Sequence, residues 1–242
     1  MNDWLSTTLP WVSEILWLSV TLLAYVIAVK INRMFGGRVW LHPILLSSVL
    51  VLTILLVFAQ DIKFYAREVG LLTWLLGPAT CALAIPVYRN LRLIHQAGFK
   101  VIAVILLGGL LGPFITWLIL YSFTSPHWLQ LSVLTKSITT PLAIDTTRLI
   151  GGNPSIAAGI VIVTGLVGVL VSRPLFDLFN IHSASAKGLA LGTSSHAIGT
   201  AHAISLGEKA AAFATVGLCI NGIATAAMLP WILSLFSPAL GT

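Results

Sequence analysis

The chain has 242 residues, of which 57% are apolar and only 8% are charged, and its formal net charge is +6. Such a small number of charged residues cannot cover the surface of a water-soluble domain of this size. The composition therefore excludes an ordinary soluble globular protein and indicates a lipid environment. The cations lie in short runs beside apolar stretches and have no interleaved aromatic side chains. They therefore indicate membrane topology and not nucleic-acid binding.

Several apolar stretches have the length of a membrane-spanning helix. Each covers about 17 to 23 residues with almost no charge, which is enough to cross a bilayer. The clearest are residues 11–29, 39–59, 101–123 and 155–171. The first is expected to remain as an anchor, because the ten residues before it include no lysine or arginine.

The middle of the chain contains two short apolar pieces, residues 131–138 and 140–150, separated at Thr139, Thr140 and Pro141. Threonine before a proline is typical of a helix start. Together the two pieces can span a membrane, whereas separately each rises only about 12 to 17 Å and must be re-entrant. If the two pieces are re-entrant, the chain has seven membrane spans; if together they cross the membrane, it has eight. The positive charge in the later loops favours seven, with the C-terminus inside the cell.

Two halves of the chain repeat the same order of features. Residues 76–84 resemble residues 191–199, and both are preceded by an X-Pro pair and followed by a Gly-X-Lys triplet. The offsets between the paired features, 111, 115 and 109 residues, are nearly constant. The predicted organisation is a single membrane domain over residues 1–242, with repeats at 37–123 and 150–237 and a re-entrant or broken-helix connection at 124–149. Inverted repeats with discontinuous helices are a transporter architecture. Chance similarity between two glycine-rich apolar stretches is the alternative.

Interrupted helices are expected in both repeats. Proline removes a backbone donor, and the half-helix after such a break presents free N–H groups that attract an anion. If the repeats are inverted, two such positive ends meet in mid-membrane and form a site for a small carboxylate. Close packing of small residues, or a simple proline kink, is the competing interpretation. The predicted interruptions are at Gly77, Pro78, Pro141, Gly192 and Gly199.

Polar side chains inside apolar segments are costly and are usually functional. Lys136 is either a counter-charge for an anionic substrate or a side chain that reaches the interface, and Asn221 binds either substrate or a neighbouring helix. His196 either donates to a carboxylate, carries a proton, or is packed and hydrogen-bonded. No cofactor or metal site is predicted. The candidate substrate-binding residues are Thr80, Lys136, Thr139, Thr140, Thr193, Ser194, Ser195, His196 and Asn221.

Residues 75–80, 136–143 and 188–201 resemble the corresponding motifs of the LrgB/CidB family, which includes the YohK-type bacterial inner-membrane proteins. The resemblance covers about residues 15–235. It implies a multi-pass protein of the bacterial inner membrane, paired with a smaller LrgA/CidA-type membrane protein and linked to murein hydrolase export and autolysis. Relatives in plastids move glycolate and glycerate, and some bacterial members are linked to pyruvate uptake.

Three classes of function follow from these observations. The leading hypothesis is a transporter of small monocarboxylates such as glycolate, glycerate, lactate or pyruvate, which works by alternating access and leaves proton coupling open. The alternative is a holin-like or antiholin-like membrane protein that modulates murein hydrolase export. An enzyme is not expected, because GxSxG, HExxH and paired in-membrane carboxylates are missing from the sequence. A homodimer or higher oligomer is expected.

Overall fold

A chain in lipid must satisfy its own backbone N–H and C=O groups, and an α-helix does so within one segment. The computed structural model describes residues 10–37, 41–82, 84–89 and 91–236, and these residues form helices and no strand. The predicted all-α class is therefore confirmed. In chain order the helices are α1 Pro10–Met34, α2 Pro43–Val57, α3 Ile62–Glu68, α4 Gly70–Ala82, α5 Ala84–Arg89, α6 Leu91–Ser122, α7 His127–Ser132, a 3-10 turn at Val133–Thr135, α8 Thr140–Leu149, α9 Pro154–Leu178, α10 Ala184–Ile204 and α11 Glu208–Phe236.

Among the described residues, four helices are long and apolar enough to cross a membrane: Trp11–Met34, Gly98–Ser122, Pro154–Leu178 and Glu208–Leu235. A fifth span is possible if α2 and α3, which meet at a bend of 119°, count as one. Only 11% to 33% of each apolar window is buried inside the protein, so most of these side chains face lipid. The structure confirms a multi-pass helical membrane protein, but the part of the chain that it describes contains fewer long helices than the seven spans predicted.

The chain divides into two compact units, Met1–Pro78 and Ala79–Thr242. In the first unit, Trp17 of α1 is buried and makes edge-to-face contacts with Phe64 and Tyr65 of α3, at ring-centroid distances of 6.5 and 5.7 Å. The Tyr65 hydroxyl also lies 2.9 Å from the Thr21 hydroxyl. These contacts hold the short helix α3 along the first half of α1.

The expected helix break at Gly77 and Pro78 is wrong, because α4 is helical from Gly70 to Ala82 with Pro78 inside it. Proline deprives the helix of one backbone hydrogen bond, but a helix in lipid tolerates that loss when the remaining bonds are kept. The anion site cannot depend on a half-helix that starts at Pro78.

Two pairs of repeat features adopt matching local structures. His42 and Asn153 each cap a helix that begins with proline, and each side chain accepts a hydrogen bond from the backbone two residues on. Gly98 and Gly207 both have a positive φ, of 72° and 110°, and each precedes a long apolar helix. These similarities support the two-repeat organisation, which stays a prediction.

Helix α10 is folded back on itself at His196, whose φ of 42° and ψ of −129° are not helical. A Cβ added to Gly199 would lie 2.2 Å from the carbonyl oxygen of Leu191. In a straight helix these two residues would be separated by about 12 Å along the axis. We therefore describe α10 as a hairpin with a first limb at residues 184–195 and a second limb at residues 197–204.

The packing of α10 on α11 confirms the hairpin independently. Gly188 meets the backbone of Ala210 and Gly192 meets that of Ala214, so the first limb and α11 run parallel. A straight α10 followed by three linking residues would place the two helices antiparallel. The second limb, about 12 Å long, returns the chain to the level of Gly188, from which α11 starts.

The interruptions predicted at Gly192 and Gly199 are therefore wrong in position, because the turn lies between them at His196. Gly192 is helical and lets the backbones of α10 and α11 approach: a Cβ there would meet the Ala214 carbonyl oxygen at 1.9 Å. Gly199 serves the contact between the two limbs. The sequence correctly predicted a discontinuous helix in this segment, and at Pro141 it correctly predicted a helix start.

Candidate functional site

The site is built from the interrupted segments of the second unit, and one part of it is the tip of the α10 hairpin. The buried His196 ring donates from Nε2–H to the carbonyl oxygen of Val161 in α9 at 2.9 Å. Glycines of α9 make room for this tip, since a Cβ at Gly165 would approach His196 within 2.8 Å and one at Gly168 would approach the Ser195 hydroxyl within 1.9 Å. This face of the tip is packed and hydrogen-bonded against α9.

The opposite face of the tip meets α11 at Asn221, which is 2% exposed. The Asn221 side-chain amide donates from Nδ2 to the carbonyl oxygens of Ser137 at 2.9 Å and Thr193 at 3.0 Å. Its Oδ1 accepts a hydrogen bond from the Thr225 hydroxyl at 3.3 Å. Gly109 of α6 leaves room for this arrangement because it has no Cβ; a Cβ there would lie only 1.9 Å from Asn221 Oδ1. Asn221 thus joins three separate segments around one buried amide.

Both carbonyl groups held by Asn221 belong to interruptions in the chain. The usual helical partner of Ser137 O is the N–H of residue 141, and Pro141 has none. Thr193 O lies in the last turn of the first limb, three residues before the non-helical His196. The missing N–H at Pro141 is therefore the reason that Ser137 O needs a side-chain donor, and the same Asn221 amide bonds Thr193 O as well.

We call the place where the Asn221 amide bonds Ser137 O and Thr193 O the Asn221 junction. The N-terminus of α8 is buried beside this junction. Ile138 is fully buried and Thr139 is 5% exposed, and Thr139 is the N-cap residue of α8 but makes no side-chain capping bond. The Ala143 N–H donates to Thr139 O at 2.8 Å, while the amide groups of the preceding turn point along the helix axis. Such an end carries a partial positive charge and favours an anion.

Two buried hydroxyls at this junction lack a hydrogen-bond partner among the described residues: Thr139 Oγ1 and Thr193 Oγ1. Both side chains are more than nine-tenths buried. A buried hydroxyl without a partner costs about 1 to 3 kcal/mol. Two such groups close to one junction indicate a place where a ligand or an ion completes the hydrogen bonding.

Lys136 stands at the end of the 3-10 turn, immediately before Ser137, and its side chain is half-buried. Its ammonium makes no ion pair with any carboxylate of the described residues. Arg148 of α8, by contrast, is exposed and forms an ion pair with the exposed Asp145 at 3.4 Å. Lys136 is therefore an unneutralised cation near the N-terminus of α8.

The structure brings some of the predicted site residues together and separates others. Thr139, Thr193 and Asn221 belong to the junction, with Lys136 and Thr140 adjacent to it in the chain. Ser195 and His196 face α9, whereas Ser194 is exposed and donates to the Ala190 carbonyl at 2.8 Å. Thr80 lies in α4, and its side chain is outside the described part of the structure.

Sequence reasoning missed Ser137, which contributes a backbone carbonyl and not its side chain. It also missed Gly109 and Gly217, whose missing Cβ atoms give the side chains of Asn221 and Thr193 their space. The available signals were the absence of an N–H at Pro141 and the Gly-Gly pair at residues 108–109. In the described residues no cluster of three or more His, Cys, Asp or Glu side chains is suited to a metal.

Comparison with known proteins is consistent with this architecture. A family profile described as LrgB-like family matches residues 21–235. Uncharacterized protein YwbG of Bacillus subtilis (strain 168) is 31% identical over 90% of this chain and 96% of its own length. Holin-like protein CidB of Staphylococcus aureus (strain Mu50 / ATCC 700699) is 26% identical over 98% of this chain and 100% of its own length. No solved structure matches the chain significantly.

Proposed function

Since this chain belongs to the LrgB-like family, we propose that it is an inner-membrane transporter of small monocarboxylates, which it binds at the buried N-terminus of α8. The observation that carries the proposal is the uncapped, unpartnered hydroxyl of Thr139 at that helix end. The N–H groups of Thr140 and Leu142 in the first turn, and the Thr139 hydroxyl, are donors that a carboxylate accepts from. The Lys136 ammonium supplies the opposite charge.

The substrate is a small anion because the junction has little space around it. The side chains next to Thr139 are packed, with Ile138 and Ala143 fully buried. A carboxylate of two or three carbon atoms, such as glycolate, glycerate, lactate or pyruvate, fits this chemistry. The Thr193 hydroxyl offers a further hydrogen bond to a substrate hydroxyl or keto group.

Alternating access is proposed to come from movement of one repeat-derived bundle against the other elements. The tip of the α10 hairpin and the N-terminus of α8 are both buried, so small shifts of either element would change which side reaches the junction. Proton coupling through His196 has little support, because its Nε2–H is engaged with the Val161 carbonyl.

The alternative function is a holin-like protein that modulates murein hydrolase export, working with an LrgA/CidA-type partner. The observation that favours it is the name of the similar staphylococcal protein, Holin-like protein CidB. A pore of this kind needs neither a buried uncapped helix end nor an unpaired lysine beside it. The two functions therefore predict different flux behaviour.

The test is uptake of labelled glycolate, lactate and pyruvate by proteoliposomes that contain the purified full chain. We expect saturable uptake with preference between the enantiomers of lactate. Lys136→Gln should lower uptake at least tenfold, because the anion loses its counter-charge. Arg148→Gln, the matched control at an exposed cation, should leave uptake unchanged. Unsaturable leak of unrelated solutes, unchanged by Lys136→Gln, would contradict transport and support the holin-like function.

A further inference from the structure

The Asn221 junction also contains two carbonyl oxygens, which carry partial negative charge and do not bind a carboxylate. The carbonyl groups of Ser137 and Thr193 approach the same amide nitrogen, at 2.9 and 3.0 Å. Ser137 O follows the 3-10 turn that ends at Thr135, and Thr193 O lies near the end of the first limb of α10. Two carbonyl oxygens, each with a partial negative charge, therefore converge on one buried point, a short distance along the chain from the positive end of α8.

The Asn221 side chain can reverse its amide without losing its contact to α11. In the orientation described, the Thr225 hydroxyl donates to Asn221 Oδ1. A hydroxyl both donates and accepts, so after a 180° rotation the Asn221 NH₂ group donates to the Thr225 oxygen instead. Asn221 Oδ1 then faces the carbonyl oxygens of Ser137 and Thr193. Three oxygens this close repel one another unless a cation lies among them.

We propose that Asn221 Oδ1, Ser137 O and Thr193 O bind one monovalent hard cation, with the buried Thr193 hydroxyl as a further ligand. Oxygen ligands select hard cations such as Na⁺ over soft metals. All of these ligands are neutral, and burying a divalent charge without a compensating carboxylate is too costly, so the cation is monovalent.

The unpartnered hydroxyl of Thr193 is the independent sign of a missing ligand. Its oxygen would touch a Cβ at Gly217 at 2.8 Å, so it points into the contact between α10 and α11, where Asn221 lies one helical turn further along. Lys136 does not fill the site, because its ammonium donates no hydrogen bond to either carbonyl in the described structure. The two carbonyls are held by the Asn221 amide, and an external ion would take its place there when that amide rotates.

A role of the cation in cotransport rests on the proposed function, whereas binding of the cation to the protein does not. A cation at Asn221 and a carboxylate at the α8 N-terminus would neutralise each other inside the protein. Such a pair lowers the cost of burying either charge, which is a physical basis for cotransport. Binding of the cation alone is measurable without any carboxylate.

The test is thermal unfolding of the purified full chain in detergent, in NaCl, KCl or choline chloride at constant ionic strength. We expect a saturable rise of the unfolding temperature with Na⁺ that K⁺ and choline do not match. Thr193→Val should weaken the Na⁺ response at least threefold. Thr215→Val, whose hydroxyl bonds within α11 at the Ala211 carbonyl, is the matched control and should keep it.

Asn221→Asp separates an ion site from a purely structural hydrogen bond. Its carboxylate faces the two carbonyls, so without Na⁺ this variant should unfold earlier than the native chain, and Na⁺ should restore it with a larger shift than in the native chain. Equal unfolding temperatures in Na⁺, K⁺ and choline, in both proteins, would overturn the proposal. If Na⁺ does not change the unfolding temperature but carboxylate uptake is saturable, the cation site is contradicted and the transport function is not. A Na⁺ effect without saturable uptake would support the cation site and contradict the transport function.

Discussion

At the residue scale, four of the buried threonines of the second unit form two pairs, which differ in whether their hydroxyls have hydrogen-bond partners. The Thr135 and Thr147 hydroxyls lie 2.8 Å apart and satisfy each other. Thr139 and Thr193 have no partner among the described residues. A protein keeps an unsatisfied buried group when function requires it, because the same position filled by an apolar side chain would be more stable.

Thr139→Val should therefore raise the stability of the native chain by about 1 kcal/mol while abolishing carboxylate binding, because valine removes an unsatisfied hydroxyl and keeps its shape. No capping bond is lost, since the Thr139 side chain caps nothing. Thr147→Val should lower stability by about 1 kcal/mol, because it removes the shorter of the two hydrogen bonds of the Thr135 hydroxyl, at 2.8 Å, and leaves the one to the Ser132 carbonyl at 3.3 Å. Chemical unfolding in detergent measures both effects. Equal destabilisation by the two substitutions would show that the Thr139 hydroxyl is structural.

Residue types could be predicted from the sequence, but their partners could not. Polar residues in an apolar segment marked Thr139, Thr193 and Asn221 as unusual. Asn221 bonds the carbonyl groups of Thr193 and Ser137, and Thr139 follows two residues after Ser137. Ser195 and His196 gave the same signal, but they pack on α9. The direction of a side chain depends on where the chain turns. The turn lies at His196, whose ψ of −129° places it outside the left-handed helical region where histidine is enriched, so no sequence rule marks this position.

At the element scale, the backbone conformation at His196 decides the course of α10. Its positive φ costs about 1 to 3 kcal/mol. The bond from the ring to Val161 and the close backbone packing of Gly188 and Gly192 on α11 offset that cost. The apolar length of the segment predicted a span, whereas the packing of its glycines determines a hairpin. Sequence alone does not separate these outcomes, because glycine serves breaks and close contacts equally.

The hairpin predicts that both ends of α10 lie on the same side of the membrane. In a background with Cys81 and Cys219 replaced by alanine, we expect His182→Cys and Ser205→Cys to react with an impermeant maleimide from one side. Ser155→Cys, at the other end of the α9 span, is the control and should react from the opposite side. Labelling of positions 182 and 205 from opposite sides would show that α10 crosses the bilayer.

At the scale of the whole molecule, composition was enough to predict a helical membrane protein, and the family profile agrees over most of the chain. The number of spans was harder to predict, because short interrupted helices satisfy their backbone inside the protein and not by crossing lipid. The proposed function depends on the same interruptions, since they place a free helix end at Thr139 and the two carbonyl groups at Asn221 away from water.

The most direct test of the central claim is the effect of short carboxylates on the unfolding temperature of the native chain and of Thr139→Val. An anion site at the α8 N-terminus predicts a saturable rise with glycolate, lactate or pyruvate in the native chain. It predicts none in Thr139→Val, although that variant is at least as stable. An equal rise in both proteins, or no rise with any short carboxylate, would contradict a carboxylate site at Thr139.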